Sequence, residues 1–406
     1  MKIKLPFLTI AFILLFSIHG CGNGNNDSDS ARSVVLAAKS VSAGDFHACS
    51  VATDDTVKCW GLNNAGQLGN NSATDSARPV AVSGLSGVTQ VSAGGEHTCA
   101  LLSNGTVQCW GDNAFGQLGN GTTTGSKTPV AVSGITNATA VAAGGNHTCA
   151  SLSDRSVRCW GASALGQLGN GTQNRSSTPV AVANLTGVTA ISAGGNHTCT
   201  VLNTGGVRCW GANSLGQLGN ASRINQTEPV AVSGVAIATD IAAGANHTCV
   251  RLSNGGAQCW GDDSTGQLGA PWTLISGISP VAITFSATPV NVTSISTASA
   301  IAAGFSHSCA ILADSSAKCW GENVNGQLGN GTVVGFTPPG GGAPSTSTYI
   351  PVLVSNLSSA THIDAGLFHT CARISGNRVR CWGSNSSGQL GDGTFLDSST
   401  PVDVIN

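Results

Sequence analysis

The sequence predicts an all-β fold, a seven-bladed β-propeller of four-stranded antiparallel blades, and three observations carry that expectation. One pattern is written seven times: His47, His97, His147, His197 and His247 recur at intervals of 50, and His307 and His369 follow at 60 and 62. Each copy holds four short runs of strand character separated by Gly, Asn and Pro, and no copy shows a helical pattern. The first and last copies are as regular as the middle ones, whereas a linear solenoid usually carries atypical capping repeats. A closed ring that protects its sheet edges satisfies all three observations.

In chain order, residues 1–20 read as a signal peptide of the lipoprotein type. Lys2 and Lys4 precede an apolar run from Leu5 to Ile18 that is too short to span a bilayer comfortably. Ile18-His19-Gly20-Cys21 then resembles a bacterial lipoprotein cleavage box. That resemblance implies lipidation of Cys21 as the mature N-terminus. Ordinary cleavage near Gly20, leaving Cys21 a spare thiol, is the alternative. Either way the chain is exported, and removal of Lys2 and Lys4 takes the net charge from −2 to −4. Residues 21–40 have the composition of a flexible tether and first-strand lead-in. Residues 41–406 form the propeller, with repeats near 41–90, 91–140, 141–190, 191–240, 241–300, 301–362 and 363–406.

The second copy shows the elements of a blade. Val88–Ala93 is the first strand, ended by Gly94-Gly95, and His97–Leu102 is the second. Ser103-Asn104-Gly105 is a hairpin turn, with Asn and Gly where positive φ is needed. Thr106–Gly111 is the third strand and Pro129–Val132 the fourth; a proline at a strand start suits an edge, where a missing N–H costs nothing. The spacing leaves open whether that fourth strand completes its own blade or the next.

These residues resemble the regulator-of-chromosome-condensation repeat family. The pattern is carried by His97-Thr98, Ala100-Leu101, Gly105, Val107, Trp110-Gly111, Gly116-Gln117-Leu118-Gly119 and Pro129, and it recurs in register through nearly all of the chain after the signal peptide. The resemblance implies a seven-bladed propeller. The family's functions include nucleotide exchange on a nuclear GTPase, and similar bacterial propellers serve as extracellular protein binders. Fold therefore does not settle function.

Fifteen cysteines divide into Cys21 and seven pairs. Cys49 pairs with Cys59, Cys99 with Cys109, Cys149 with Cys159, Cys199 with Cys209, Cys249 with Cys259, Cys309 with Cys319, and Cys371 with Cys381. Each pair flanks a hairpin, so its members face each other across neighbouring strands. Family members in reducing compartments carry small apolar residues there, and export makes seven intrablade disulfides the natural reading. A metal site is disfavoured, because zinc wants about four convergent ligands and each blade offers three. His-Cys catalysis needs a free thiolate, which a disulfide removes. The repeated Trp is read as packing between blades. Gly-Gln-Leu-Gly is a turn and not a phosphate loop, since no helix or Walker lysine follows. No cofactor is expected.

Charge narrows the partners. Lys plus Arg number 17 against 19 Asp plus Glu, and charged residues are 9% of the chain, so no basic field exists to displace counterions from a nucleic acid.

If the repeated residues are scaffold, function sits where copies differ. The residue before the repeated His is Phe46, Glu96, Asn146, Asn196, Asn246, Ser306 and Phe368, and the one before that includes Asp45 and Phe305. Aromatic residues thus occur in units six, seven and one, which adjoin if the ring closes. From the last glycine of Gly-Gln-Leu-Gly to the proline of the fourth-strand run takes ten residues in five units, but twenty from Gly269 to Pro289 and twenty-two from Gly329 to Pro351. These insertions, near 270–288 and 330–350, carry Trp272, Phe285, Phe336 and Tyr349. Phe46, Phe305, Phe368, Trp272, Phe336 and Tyr349 form the expected binding surface, because a concentrated apolar patch commonly marks an interaction site.

The sequence therefore points to a monomeric, lipid-anchored propeller of a bacterial cell envelope, on the outer membrane by preference. It would bind an unidentified envelope or extracellular protein through the loop face, and no nucleic acid. Carbohydrate binding through Phe46, Phe305 and Phe368 with the neighbouring asparagines is the alternative. Enzymatic activity is not expected, since no acid–base pair beyond the adjacent Asp45 and Glu96 stands outside the sevenfold pattern. Guanine-nucleotide exchange fits poorly, because an exported chain meets no small GTPase.

Overall fold

The computed structural model describes residues 34–271, 284–333 and 347–406. Cys21, Trp272 and Phe336 lie outside the described residues, as do the signal peptide and most of the tether. The described residues form seven four-stranded sheets, each built from four consecutive strands in sequential order. In the first, Ala38–Ala43, His47–Ala52, Val57–Gly61 and Ser76–Ala81 run antiparallel from the channel outwards. The fourth strand thus completes its own blade, and the last blade runs from Ala360 to Asp403.

Two local expectations are corrected. The fourth strand of blade two is Ser126–Ala131, so Pro129 sits inside it and not at its start. The ladder pairs Cys109 with Val130 and then Gly111 with Ser126, and the register shift between them absorbs the missing N–H of Pro129. In the hairpin turn only Gly105 has positive φ, +79°. Asn104 instead accepts hydrogen bonds from the Thr106 N–H (3.0 Å) and hydroxyl (2.7 Å), closing the turn from its side chain.

The core lies between blades. Trp110 of blade two packs against Cys49, Val51, Val57, Cys59 and Leu68 of blade one, and all seven repeated Trp are fully buried. Blades are clasped by a hydrogen-bonded chain. The Gln67 carbonyl of blade one accepts the Trp110 indole N–H (2.8 Å) and the Thr98 hydroxyl (2.9 Å). His47 Nε2 lies 2.8 Å from the same Thr98 oxygen. That hydroxyl spends its one hydrogen on Gln67, so His47 donates from Nε2 and its Nδ1 is bare. Six of the seven histidines make this bond to the next blade. Each ring also lies against a glycine: a Cβ on Gly44 would meet His47 Cε1 at 2.6 Å, which is why that corner has no side chain.

The ring closes between blades seven and one. Trp60 still donates to Gln389 O (2.9 Å), but the residue after His47 is Ala48 where other copies have Thr or Ser, and neither ring nitrogen of His369 has a partner. Residues 34–37 reinforce this seam, with Leu36 N donating to Val404 O (2.9 Å) and Asn406 N to Val34 O (2.8 Å).

Candidate functional site

Strand direction alternates, so the turn between the first and second strands shares a face with the loop between the third and fourth. Leu62 N donates to Phe46 O and Asp112 N to Glu96 O, both at 2.9 Å, joining the two segments. At the centre of this loop face the blades are linked by backbone hydrogen bonds around the channel mouth, such as Asp45 N to Gly94 O and Gly95 N to Gly144 O, each 3.1 Å. At the seam Leu367 N reaches Asp45 O (3.2 Å), one residue beyond the pattern. The mouth encloses about 270 Å³, lined by Asp45, Asn146, Asn196, Phe305 and the corner glycines.

The structure brings Phe305 and Phe368 together across blades six and seven, with ring centroids 6.0 Å apart and planes tilted by 51°. Phe305 is 41% exposed, while Phe368 and, on the next blade, Phe46 are half-buried. Tyr349 goes elsewhere. It lies in the fourth strand of blade six, and a Cβ on Gly266 of blade five would meet its Cδ1 at 2.7 Å, so its ring fills the seam between those blades. Burial and the nearby Asp263 raise its phenol above the usual range. Phe285 is covered by the Arg223 guanidinium, 4.5 Å above its ring.

Copy-by-copy comparison could have found more of this sector. Val324 in the turn of blade six, Val333 in its loop, and Phe395 and Leu396 in the loop of blade seven are exposed by 43, 48, 55 and 75%. Positions 73–74 and 123–124 of the earlier copies hold Ala-Thr and Thr-Thr where the last has Phe395-Leu396. Asn325 donates to Asp397 (3.3 Å), so the blade-six turn and the blade-seven loop adjoin. Phe305, Val324, Val333, Phe395 and Leu396 therefore share one sector of the loop face.

The repeated polar groups are structural. Burial lowers the seven histidines to about 3 or about 4, so they are neutral at physiological pH. All seven cysteine pairs are joined as expected. Cys49 is bonded to Cys59, Cys99 to Cys109, Cys149 to Cys159 and Cys199 to Cys209. Cys249 is bonded to Cys259, Cys309 to Cys319 and Cys371 to Cys381. The Cα atoms stand 4.0 to 4.1 Å apart in every pair, directly across the second and third strands of the blade. Asp45 and Glu96 do come together: burial, and then the charge of Glu96, raise the Asp45 carboxyl to about 6. No base or nucleophile accompanies them among the residues lining the mouth.

A family profile described as the regulator of chromosome condensation (RCC1) repeat matches residues 38–67, 88–117, 138–167, 188–217, 238–267, 298–327 and 360–389. The chain belongs to this repeat family. A second RCC1 repeat profile matches five longer stretches, from 54–101 to 319–373. Among solved structures, a chain in the crystal structure of Kap60 bound to yeast RCC1 (Prp20) is 21% identical at a TM-score of 0.74, covering 98% of this chain and 91% of that one. Prp20p from Saccharomyces cerevisiae, whose structure is described together with its binding properties to Gsp1p and histones, is 21% identical at 0.75, covering 92% and 88%. Human WBSCR16 is 24% identical at 0.68, covering 82% and 86%. At these identities the likeness is one of fold. This chain carries a cysteine pair in every blade and an apolar sector on blades six and seven.

Proposed function

We propose that this RCC1-repeat propeller is a non-enzymatic, lipid-anchored protein of a bacterial cell envelope that binds another protein through the loop face of blades six, seven and one. The observation that carries this reading is the exposed sector of Phe305, Val324, Val333, Phe395 and Leu396, gathered on the face where the insertions emerge. Such groups are individually ordinary at a surface, but their concentration on one sector is the signature of a docking site. Kap60, Gsp1p and histones belong to the yeast proteins and are not proposed as partners of this chain. The family's use as a protein-binding scaffold supports the reading. Lipidation of Cys21 and export rest on residues 1–40 and on a cysteine framework suited to an oxidising compartment. The non-enzymatic reading is supported by neutral, clasped histidines and by cysteines closed into disulfides.

The test is a crosslinking pull-down from intact envelopes with the wild type and a Phe46→Ser, Phe305→Ser, Phe368→Ser variant of matched melting temperature. A protein captured by the wild type and lost by the variant is the expected result. Equal capture by both would remove the aromatic sector from the site. Glycan-array binding lost in the same variant, without a protein partner, would replace the reading with carbohydrate recognition.

A further inference from the structure

The channel has a second mouth, on the hairpin face, enclosing about 320 Å³ between the seven innermost strands. The third residue of those strands is polar in four blades, as Ser40, Gln90, Asp240 and His362, and alanine in the other three. The fifth is polar in four, as Ser42, Ser92, Ser192 and Asp364. Blades three and six have alanine at both positions and close equally well, so the fold does not require polar groups here.

Part of this set straps blade to blade. The Gln90 amide pairs with both backbone groups of Val141 at 3.0 Å. Ser42, Ser92 and Ser192 accept the N–H of Ala93, Ala143 and Ala243 at 3.0 to 3.1 Å. Asp364 is engaged three times, taking Ala43 N, Ala365 N and the Ser42 hydroxyl, each at 3.0 Å. Because that serine bonds the carboxylate directly, Ser42, His362 and Asp364 do not compose a nucleophilic triad.

Three groups at one level of the channel keep bonding capacity. The Ser40 hydroxyl and the His362 Nδ1 are buried without a partner. Asp240 takes Ile241 N on its Oδ1 (3.0 Å) and is assisted by the Ile301 N–H of the next blade. A carboxylate has about four acceptor sites, so about two remain. Buried polar groups without partners cost free energy, and unlike the bare Nδ1 atoms of the clasp histidines, those of Ser40 and His362 belong to residues that line a cavity. Charge in this mouth is balanced, since the carboxyls of Asp240 and Asp364 are matched by Arg251 and Arg373, which stand across the strand pairs from Asp240 and His362. Neither a free cation nor a free anion is therefore favoured. Among the described residues no three His, Cys, Asp or Glu converge as metal ligands. A hydroxyl can both donate to a carboxylate or imidazole and accept from a serine, and the enclosed volume suits a ring of monosaccharide size. We infer that the hairpin-face mouth is a binding site for a small neutral polyol, held by Ser40, Asp240 and His362. Burial raises the Asp240 carboxyl and lowers the His362 imidazole, which favours the neutral form of each.

This inference is independent of the loop-face reading, and its test leaves the loop face unaltered. D-glucose, D-galactose and myo-inositol are titrated into the oxidised full chain by calorimetry, with choline, arginine and acetate as charged comparators. At least one polyol is expected to bind. Its affinity should fall by roughly tenfold or more in Asp240→Ala, the usual scale for losing a hydrogen bond to a charged group. Binding should vanish in Ala300→Leu, which fills the mouth from a blade without polar groups there, and survive in Phe305→Ser. Circular dichroism and melting temperature establish that each variant is folded. Ser40→Ala, the smallest change, keeps the test open should Asp240→Ala unfold. No polyol binding at saturating concentration, binding unaffected by Ala300→Leu, or preference for a charged comparator would each overturn the inference.

Discussion

At the scale of single residues, the seven buried histidines fix how the protein answers to acid. Their folded-state values, about 3 or about 4, lie below the unfolded value near 6.5, so the unfolded chain takes up protons first as pH falls. The stability they contribute is complete above pH 6.5 and is lost as pH drops towards 4. Each can contribute up to about 1.4 kcal/mol per pH unit in that window. Asp45 at about 6, Asp263 at about 7 and the likewise raised Asp240, Glu322 and Asp364 act in the opposite direction, but they are five against eight once His362, also lowered by burial, is counted. Urea-unfolding midpoints should therefore fall steeply between pH 6.5 and 4.5, and a flat profile would contradict buried, neutral histidines. The seam offers a second prediction. Ala48→Thr supplies the missing hydroxyl to His369 and should stabilise the protein by about 1 kcal/mol or more, read as a higher urea midpoint with unchanged slope.

At the scale of elements, each disulfide closes a short hairpin with its cysteines ten residues apart. Replacing Cys99 and Cys109 together by Ala should cost about 2–3 kcal/mol in the chain-entropy picture, with little change in circular dichroism. Loss of the whole fold from that single replacement would show that blade two depends on its bond to form at all. The elements were also what the sequence displayed best. Repetition made first, second and third strands legible, since a residue such as Trp110 or Cys99 is interpreted with six witnesses. The fourth strand was misjudged because proline is a strong boundary signal, and a bulge that tolerates Pro129 in mid-strand leaves no mark in a single copy. The Ala48 gap and the polar residues of the channel were visible as disagreements between copies. They pass unnoticed when attention rests on the loops, because their meaning comes from the neighbouring blade that only closure supplies. Tyr349 shows the converse: an aromatic residue counted with an insertion turned out to belong to the strand that follows it, packed in a seam.

At the scale of the whole molecule, no disulfide among the described residues bridges one blade to another; each of the seven lies within its own sheet. The ring is held by packed indoles, histidine clasps and the backbone links of the mouth. The place where it is closed is also where residues 34–37 run beside Val404 to Asn406, on the side of the hairpin turns and opposite the loops. A pull on the chain at Val34 would therefore load the ring at its closure before any other seam, across the hydrogen bonds from Leu36 to Val404 and from Asn406 to Val34.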